Sequence, residues 1–291
     1  MDLNFSLNEK IIVIPRNYSI NFKLYPSIMS HYAFFGFGCV VDNYPLLADG
    51  CNEHGLCIAV LNFPENAYYN KPLKNKNNIT PFELPLLLLS KCKTIDDVKT
   101  TLKNINIVDI SFSDSISLTD VHFMVSDTEK SIVIESTKQG LNVYQNPFNI
   151  LTNNPPFLFH QENIKQYMNL SIEEPTNKFS KKLKIKPFGF GHGLIGLPGD
   201  YSSTSRFIRG LFVKENIVFT SNEISDVFYC LDSVKMIKGL VNTENGYEYT
   251  HYSCCVDMDE CVYYYTKYGS NNIKKTKLKD YNLNNSALLI F

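Results

Sequence analysis

Residues 121–145 hold three short apolar runs, VHFMVSD, SIVIES and GLNVYQ, separated by gaps of turn length. Gaps that short join neighbouring strands as an antiparallel meander, which commits this stretch to antiparallel sheet. Further strand candidates stand at 11–14, 32–41 and 56–63, and the last two, flanking the turn NEHG, are expected to pair as neighbours. Helix signals fall between these strand blocks. Thr80 reads as an N-cap, with Pro81 at the first helical position and Glu83 completing a capping box, and Thr94 opens a second helix through IDDVKTTLKNI. A polar, helix-like segment follows Pro155 and Pro156 to about Leu170, and 171–200 is irregular. Two helices are expected over 202–214 and 222–239, and strands over 247–257 and 261–268 close the chain. This succession of strand and helix blocks predicts an α+β fold with largely antiparallel sheets covered by helices, as one domain over 1–291.

Composition narrows the partners. With Lys+Arg 28 against Asp+Glu 29, the net charge is -1, so no nucleic-acid partner is expected. The longest apolar run, 84–89, contains Pro85 and is far too short to span a bilayer, so the expectation is a soluble, cytoplasmic protein with no membrane partner. Eight cysteines show no CxxC pair and no zinc spacing with histidine, which reads as free thiols in a reducing compartment. Only Arg16, Arg206 and Arg209 are arginines, so arginine is expected where a rigid fork of donors matters.

Most motifs that suggest a cofactor fail on context. GFGHGLIGLPG follows a Lys-rich loop and no βαβ unit surrounds it, so it is not a dinucleotide fingerprint. The six histidines lack metal-ligand spacing and no GxSxG elbow is present, so neither metal nor cofactor is expected. More telling are Asn62, ending the strand AVLNFP, and Asn153 and Asn154 in ILTNNPP. Asn before Pro is ordinary turn chemistry. Two amides at strand ends are also what an oxyanion hole requires. Arg206 lies in the first turn of an otherwise apolar helix, where an arginine tends to be aimed at an acid.

Taken in order, NFSLNEKIIVIPRN, YPLLADGCNEHGLCIAVLNFP, NITPFEL, ILTNNPPF, GLPGDYSSTSRFIR and YSCCVDM with VYYYTKY resemble the choloylglycine hydrolase family, most closely its bile salt hydrolases. The resemblance implies an N-terminal nucleophile hydrolase of αββα architecture, two antiparallel sheets between helical layers. It implies hydrolysis of the amide bond of conjugated bile salts by a cysteine at the N-terminus, whose own α-amino group serves as base. Carried across by motif, Asp2 would hold that amino group. Asn62 and Asn153 would stabilise the oxyanion or hold the amino group and substrate, and Arg206 would support the thiolate and the acid. Asn at position 62, where penicillin V acylases of the family often have Tyr, favours bile salts. The resemblance places pocket walls at Met1, Val41, Ala48, Phe112, Ile116 and Val121, all apolar as a steroid requires, and it suggests a homotetramer.

The departure lies at the start. In MDLNFSLNEKIIVIPRN, residues 11–14 read as a buried strand, and Leu3, Phe5 and Leu7 alternate with Asp2, Asn4 and Ser6 as a strand would. By resemblance, about twenty residues carrying the nucleophilic Cys, a length that two strands and a turn would fill, would precede Met1. The 291-residue chain is therefore expected to be inactive, truncated before its first strands; penicillin V acylase-type or non-catalytic bile-acid-binding function is the alternative.

Overall fold

The structure is a computed structural model and describes residues 1–4 and 6–291. In chain order the strands and helices are β1 (Asp2–Leu3), β2 (Lys10–Ile14), β3 (Phe34–Val41), β4 (Tyr44–Leu47), β5 (Asp49–Asn52), β6 (Cys57–Asn62), β7 (Asn77–Ile79), α1 (Leu84–Lys91), α2 (Ile95–Leu102), β8 (Ile105–Ile107), β9 (Val121–Ser126), β10 (Ser131–Thr137), β11 (Gly140–Gln145) and α3 (Phe157–Asn163). They continue as α4 (Ser203–Asn216), α5 (Glu223–Asp232), β12 (Val241–Thr243), β13 (Gly246–Thr250), β14 (Tyr252–Asp257), β15 (Val262–Lys267), β16 (Lys274–Lys277) and β17 (Leu289–Ile290).

A large antiparallel sheet runs β11-β10-β9-β6-β5-β3-β2-β17, with β4 also paired to β3. The meander of residues 121–145 forms one end of it, as its turn lengths predict. Strand alternation then sorts the core. Ile12, Ile14 and Phe34 face α1 and α2, whereas Ile11, Val13, Phe35 and Phe37 face β14 and β15 through Tyr252 and Tyr263. A sheet buried on both faces must be apolar on both parities, and these strands are. The second sheet, β14-β15-β16, carries α5 on its outer side, which gives the sequence helix, sheet, sheet, helix. At the β10 end, α3 and α4 instead pack directly on Val133 through Phe157, Phe207, Ile208 and Leu211.

Local readings are corrected at four places. The runs at 32–41 and 56–63 are not partners, because β5 inserts between β3 and β6. Helix α1 starts at Leu84 rather than Pro81. The Glu83 carboxylate does accept the Thr80 N–H at 3.0 Å, but it also accepts the Lys23 N–H, and the Thr80 hydroxyl finds no partner among the described residues. Tertiary demand on Glu83 thus leaves half a capping box. Helix α5 stops at Asp232, where Arg209 Nε takes the Ser233 carbonyl that would have continued it. Of the alternating run 2–7, only Asp2 and Leu3 pair, with Thr250 and Tyr249, while Leu7 is 37% exposed; Phe5 lies outside the described residues. No described helix is long and apolar enough to cross a membrane.

Candidate active site

Between the large sheet and β13–β14 lies a cavity of about 580 Å³, within the usual range for small-molecule sites. One end is polar and brings together Asp2, Asn62, Asn153, Arg206 and Thr250. Apolar side chains that include Ala48, Phe82, Phe112, Ile116 and Val121 line much of the rest, with Val121 opposite Asn62 in the β6–β9 ladder. Phe112 packs edge-on against Phe82 at 5.4 Å between ring centroids, and the Lys23 ammonium sits 5.6 Å over its face.

Arg206 organises the polar end. From the first turn of α4, its Nη1 donates to Asp2 Oδ2 at 3.3 Å, its Nη2 to Asn153 Oδ1 at 2.8 Å, and its Nε to the Tyr201 carbonyl at 3.1 Å. With its oxygen committed to Arg206, the Asn153 carboxamide must point Nδ2 the other way, and it donates to the Asn62 carbonyl at 2.9 Å. The Asn62 carboxamide itself makes no hydrogen bond among the described residues and remains a free donor at the end of β6. Asp2 is held from its second side by the Thr250 hydroxyl at 2.5 Å, a consequence of the β1–β13 register that sets these residues opposite each other. Beside them, burial and the Asp2 charge push the Glu248 carboxyl up, with Arg206 opposing.

The thiols of the cavity are Cys39 and Cys254. Burial pushes both up, and for Cys254 the charge of Asp49 adds to the effect; its thiol donates to Asp49 Oδ2 at 3.8 Å. Such thiols stay protonated and are poor nucleophiles. Asp49 also receives the hydroxyls of Tyr252 and Tyr263, and burial raises it above the ordinary carboxyl range despite these bonds.

All of the residues read from the sequence as catalytic meet here: Asp2, Asn62, Asn153 and Arg206. Of the wall residues, Met1, Ala48, Phe112, Ile116 and Val121 line the cavity. Val41 does not; it pairs with Tyr44 at the end of β3, and it is Tyr44 that packs on the wall residues Phe82 and Phe112. Thr250 and Glu248 had no signal in the sequence, since only strand register places them beside Asp2. The three arginines do act as forks: Arg16 grips Glu53, and Arg209 donates to the carbonyls of Pro198, Asp200 and Ser233.

The start of α4 is fixed by Asp200, whose carboxylate accepts the Ser202 N–H at 2.9 Å and the Ser205 hydroxyl at 2.6 Å. Hydrogen bonds from Ser202 and Ser205 bring its pKa down to about 2. The folded pKa lies below the unfolded one, so this contribution is complete above the unfolded value near 3.9 and is lost as pH falls through about 2. Asp200→Asn is expected to remove that part of the acid dependence. Urea midpoints for the variant and the parent should converge between about pH 4 and pH 2; a constant gap would refute the assignment.

The sequence expectation of two amides at strand ends holds only for Asn62, which ends β6. Asn153 stands in the irregular segment between β11 and α3 and is brought beside Asn62 by its hydrogen bond. Over an apolar chamber, this arrangement can stabilise the oxyanion of an acyl group whose remainder is hydrophobic. The class is that of hydrolases acting on linear amides. More narrowly, the chain belongs to the choloylglycine hydrolase family of linear amide C–N hydrolases, whose sequence model matches residues 1–291. It is 42% identical over 294 residues to a bile salt hydrolase/transferase of Lactiplantibacillus plantarum, covering 100% of this chain and 91% of the relative. Against the bile salt hydrolase/transferase of Clostridium perfringens identity is 38% over 296 residues, with 99% and 90% covered. A crystal structure of a variant conjugated bile acid hydrolase from Clostridium perfringens superposes with a TM-score of 0.93 at 37% identity, covering 100% of this chain and 91% of that one. Penicillin V acylase from Agrobacterium tumefaciens shares the fold, with a TM-score of 0.77 at 18% identity over 99% of this chain and 84% of that one.

Proposed function

We propose that the site takes conjugated bile salts, steroid in the apolar chamber and scissile amide at Asn62 and Asn153, and that cleavage there needs a nucleophile these 291 residues do not supply. The observation that carries the reading is the free Asn62 carboxamide standing beside an arginine-locked Asn153 where the apolar chamber ends. In the reaction a thiolate adds to the amide carbonyl, and Asn62 Nδ2 and the remaining Asn153 N–H receive the negative charge that forms on oxygen. The C–N bond then breaks, a proton goes to the leaving amine, and the acyl group remains on sulfur until water releases the bile acid. Asp2, fixed by Thr250 and Arg206, is placed to hold the ammonium or amine next to that sulfur. A non-catalytic bile-acid-binding role is favoured by one feature: burial pushes both thiols that line the cavity, Cys39 and Cys254, up, away from nucleophilic character.

Calorimetric titration of the chain with glycocholate, taurocholate, cholate and phenoxymethylpenicillin tests the substrate class. Glycocholate is expected to bind at least about tenfold more tightly than the penicillin, a difference of roughly 1.4 kcal/mol. Equal or tighter penicillin binding would turn the reading toward an acylase. We further propose a homotetramer in the cytoplasm. Free cysteines support the compartment, and the exposed apolar residues Met168, Phe179, Phe188, Phe190 and Ile195 offer surface that assembly would cover. A monomer mass by light scattering would refute the tetramer.

A further inference from the structure

We propose that His122, Glu135 and His160 form a positioning cluster that sets the geometry of Asn62, Asn153 and Arg206, an inference that rests on reading those three as the amide-binding centre. The cluster draws on β9, β10 and α3, and its members are 0%, 1% and 0% exposed. His122 Nδ1 lies 3.2 Å from Glu135 Oε1, and the same oxygen accepts the Phe157 N–H at 2.9 Å. Phe157 opens α3 immediately after the 153–156 segment, so this bond ties Asn153 to the cluster. The His122 ring lies flat on Phe63, with centroids 4.3 Å apart and planes 5° from parallel, and Phe63 is the residue after Asn62. The His160 ring stacks on Phe207 at 4.4 Å and 16°, and Phe207 is the residue after Arg206. Each of the three site residues, brought in by a separate part of the chain, therefore has a close neighbour in sequence anchored on one buried group of side chains.

Packing alone does not account for these residues. His122 Nε2, Glu135 Oε2 and both ring nitrogens of His160 are buried without a hydrogen-bond partner among the described residues. Burial pushes the His160 imidazole below its ordinary range, offset in part by the backbone of Asn153 and Pro155 beside it. In a region otherwise filled by Val133, Phe157, Phe207 and Ile208, aliphatic side chains would fill the volume without that desolvation cost. What they would not reproduce is a directional bond to Phe157 together with two flat rings on Phe63 and Phe207.

The test compares Glu135→Leu with the conservative Glu135→Gln, read by affinity for glycocholate and cholate and by hydrogen exchange of the Arg206 Nε–H in nuclear magnetic resonance. Glu135→Leu is expected to weaken glycocholate binding about tenfold while cholate, which lacks the conjugated amide, changes less than about twofold. Arg206 Nε–H exchange should speed up, and Glu135→Gln, which keeps an acceptor for Phe157, should recover most of both effects. Unchanged affinities, or equal losses for both ligands, would overturn the positioning role. If the unsubstituted chain bound neither ligand, the bile-salt reading would fall on its own. Arg206 exchange would then decide for the cluster: faster in Glu135→Leu and restored in Glu135→Gln supports it, unchanged overturns it. Should Glu135→Leu not fold, His122→Phe keeps the stack on Phe63, removes the contact to Glu135 and carries the same measurements.

Discussion

Purified protein comprising residues 1–291 is expected to bind glycocholate and release no measurable glycine from it. The residues proposed to recognise the amide and stabilise its oxyanion are assembled, but among the described residues no activated thiol lies beside Asn62. Cys254, which faces Asp49, is pushed up by burial and by that charge, the opposite of what a nucleophile needs. A cysteine at a chain terminus carries its own base, because a free α-amino group titrates near ~7.7–8.0 and is partly unprotonated at neutral pH. Extending the chain upstream of Met1 with a two-strand hairpin that opens with such a cysteine is therefore expected to produce glycine release. Where a covalent nucleophile is removed from an intact site, rates fall by about 10⁶-fold, so the contrast between the two proteins should be nearly all or none. Glycine set free from glycocholate is the measurement. Turnover by residues 1–291 alone would sink the proposal, and a silent extended protein that still binds the salt would favour the non-catalytic reading.

Arg206→Ala is expected to lower the unfolding free energy by about 3 kcal/mol and to weaken glycocholate binding in parallel. Arg206 is only 9% exposed, and its guanidinium bridges α4 to β1 through Asp2 and to the 153–156 segment through Asn153. Its loss leaves a half-buried carboxylate unpaired and frees the Asn153 carboxamide to flip, so stability and recognition fall together. Arg206→Lys should recover only part of either effect, because an ammonium cannot reach Asp2, Asn153 and the Tyr201 carbonyl in one plane. Urea unfolding combined with calorimetry reads both quantities. A stability loss below about 1 kcal/mol, the range of an exposed ion pair, would show that Arg206 is not the keystone of the site.

Local patterning announced much of the fold. The meander of 121–145, the helix opened by Thr94 and the start of α4 all stand where short-range signals put them, since turn lengths and caps act within a few residues. Strand neighbours were less legible. The insertion of β5 between β3 and β6 depends on DGCN, a four-residue run too short and too polar to announce itself, and becomes a strand because partners on both sides satisfy its backbone. Helix ends failed where a distant side chain intervened, as Arg209 does at Ser233.

Residue types read as ending a strand or standing in the first turn of a helix pointed to Asn62, Asn153 and Arg206, and the family resemblance added Asp2, because motifs are written in short contiguous stretches. Which end of the Asn153 carboxamide faces Arg206, which amide remains free to donate, and why Thr250 rather than a neighbour holds Asp2 were decided only by the tertiary structure. The same is true of Val41, which pairs with Tyr44 and does not line the cavity. These are matters of register and approach between segments up to about 250 residues apart in the chain. Hydrogen-bond direction depends on distances of a few tenths of an ångström, and only the packed sheets and helices define those.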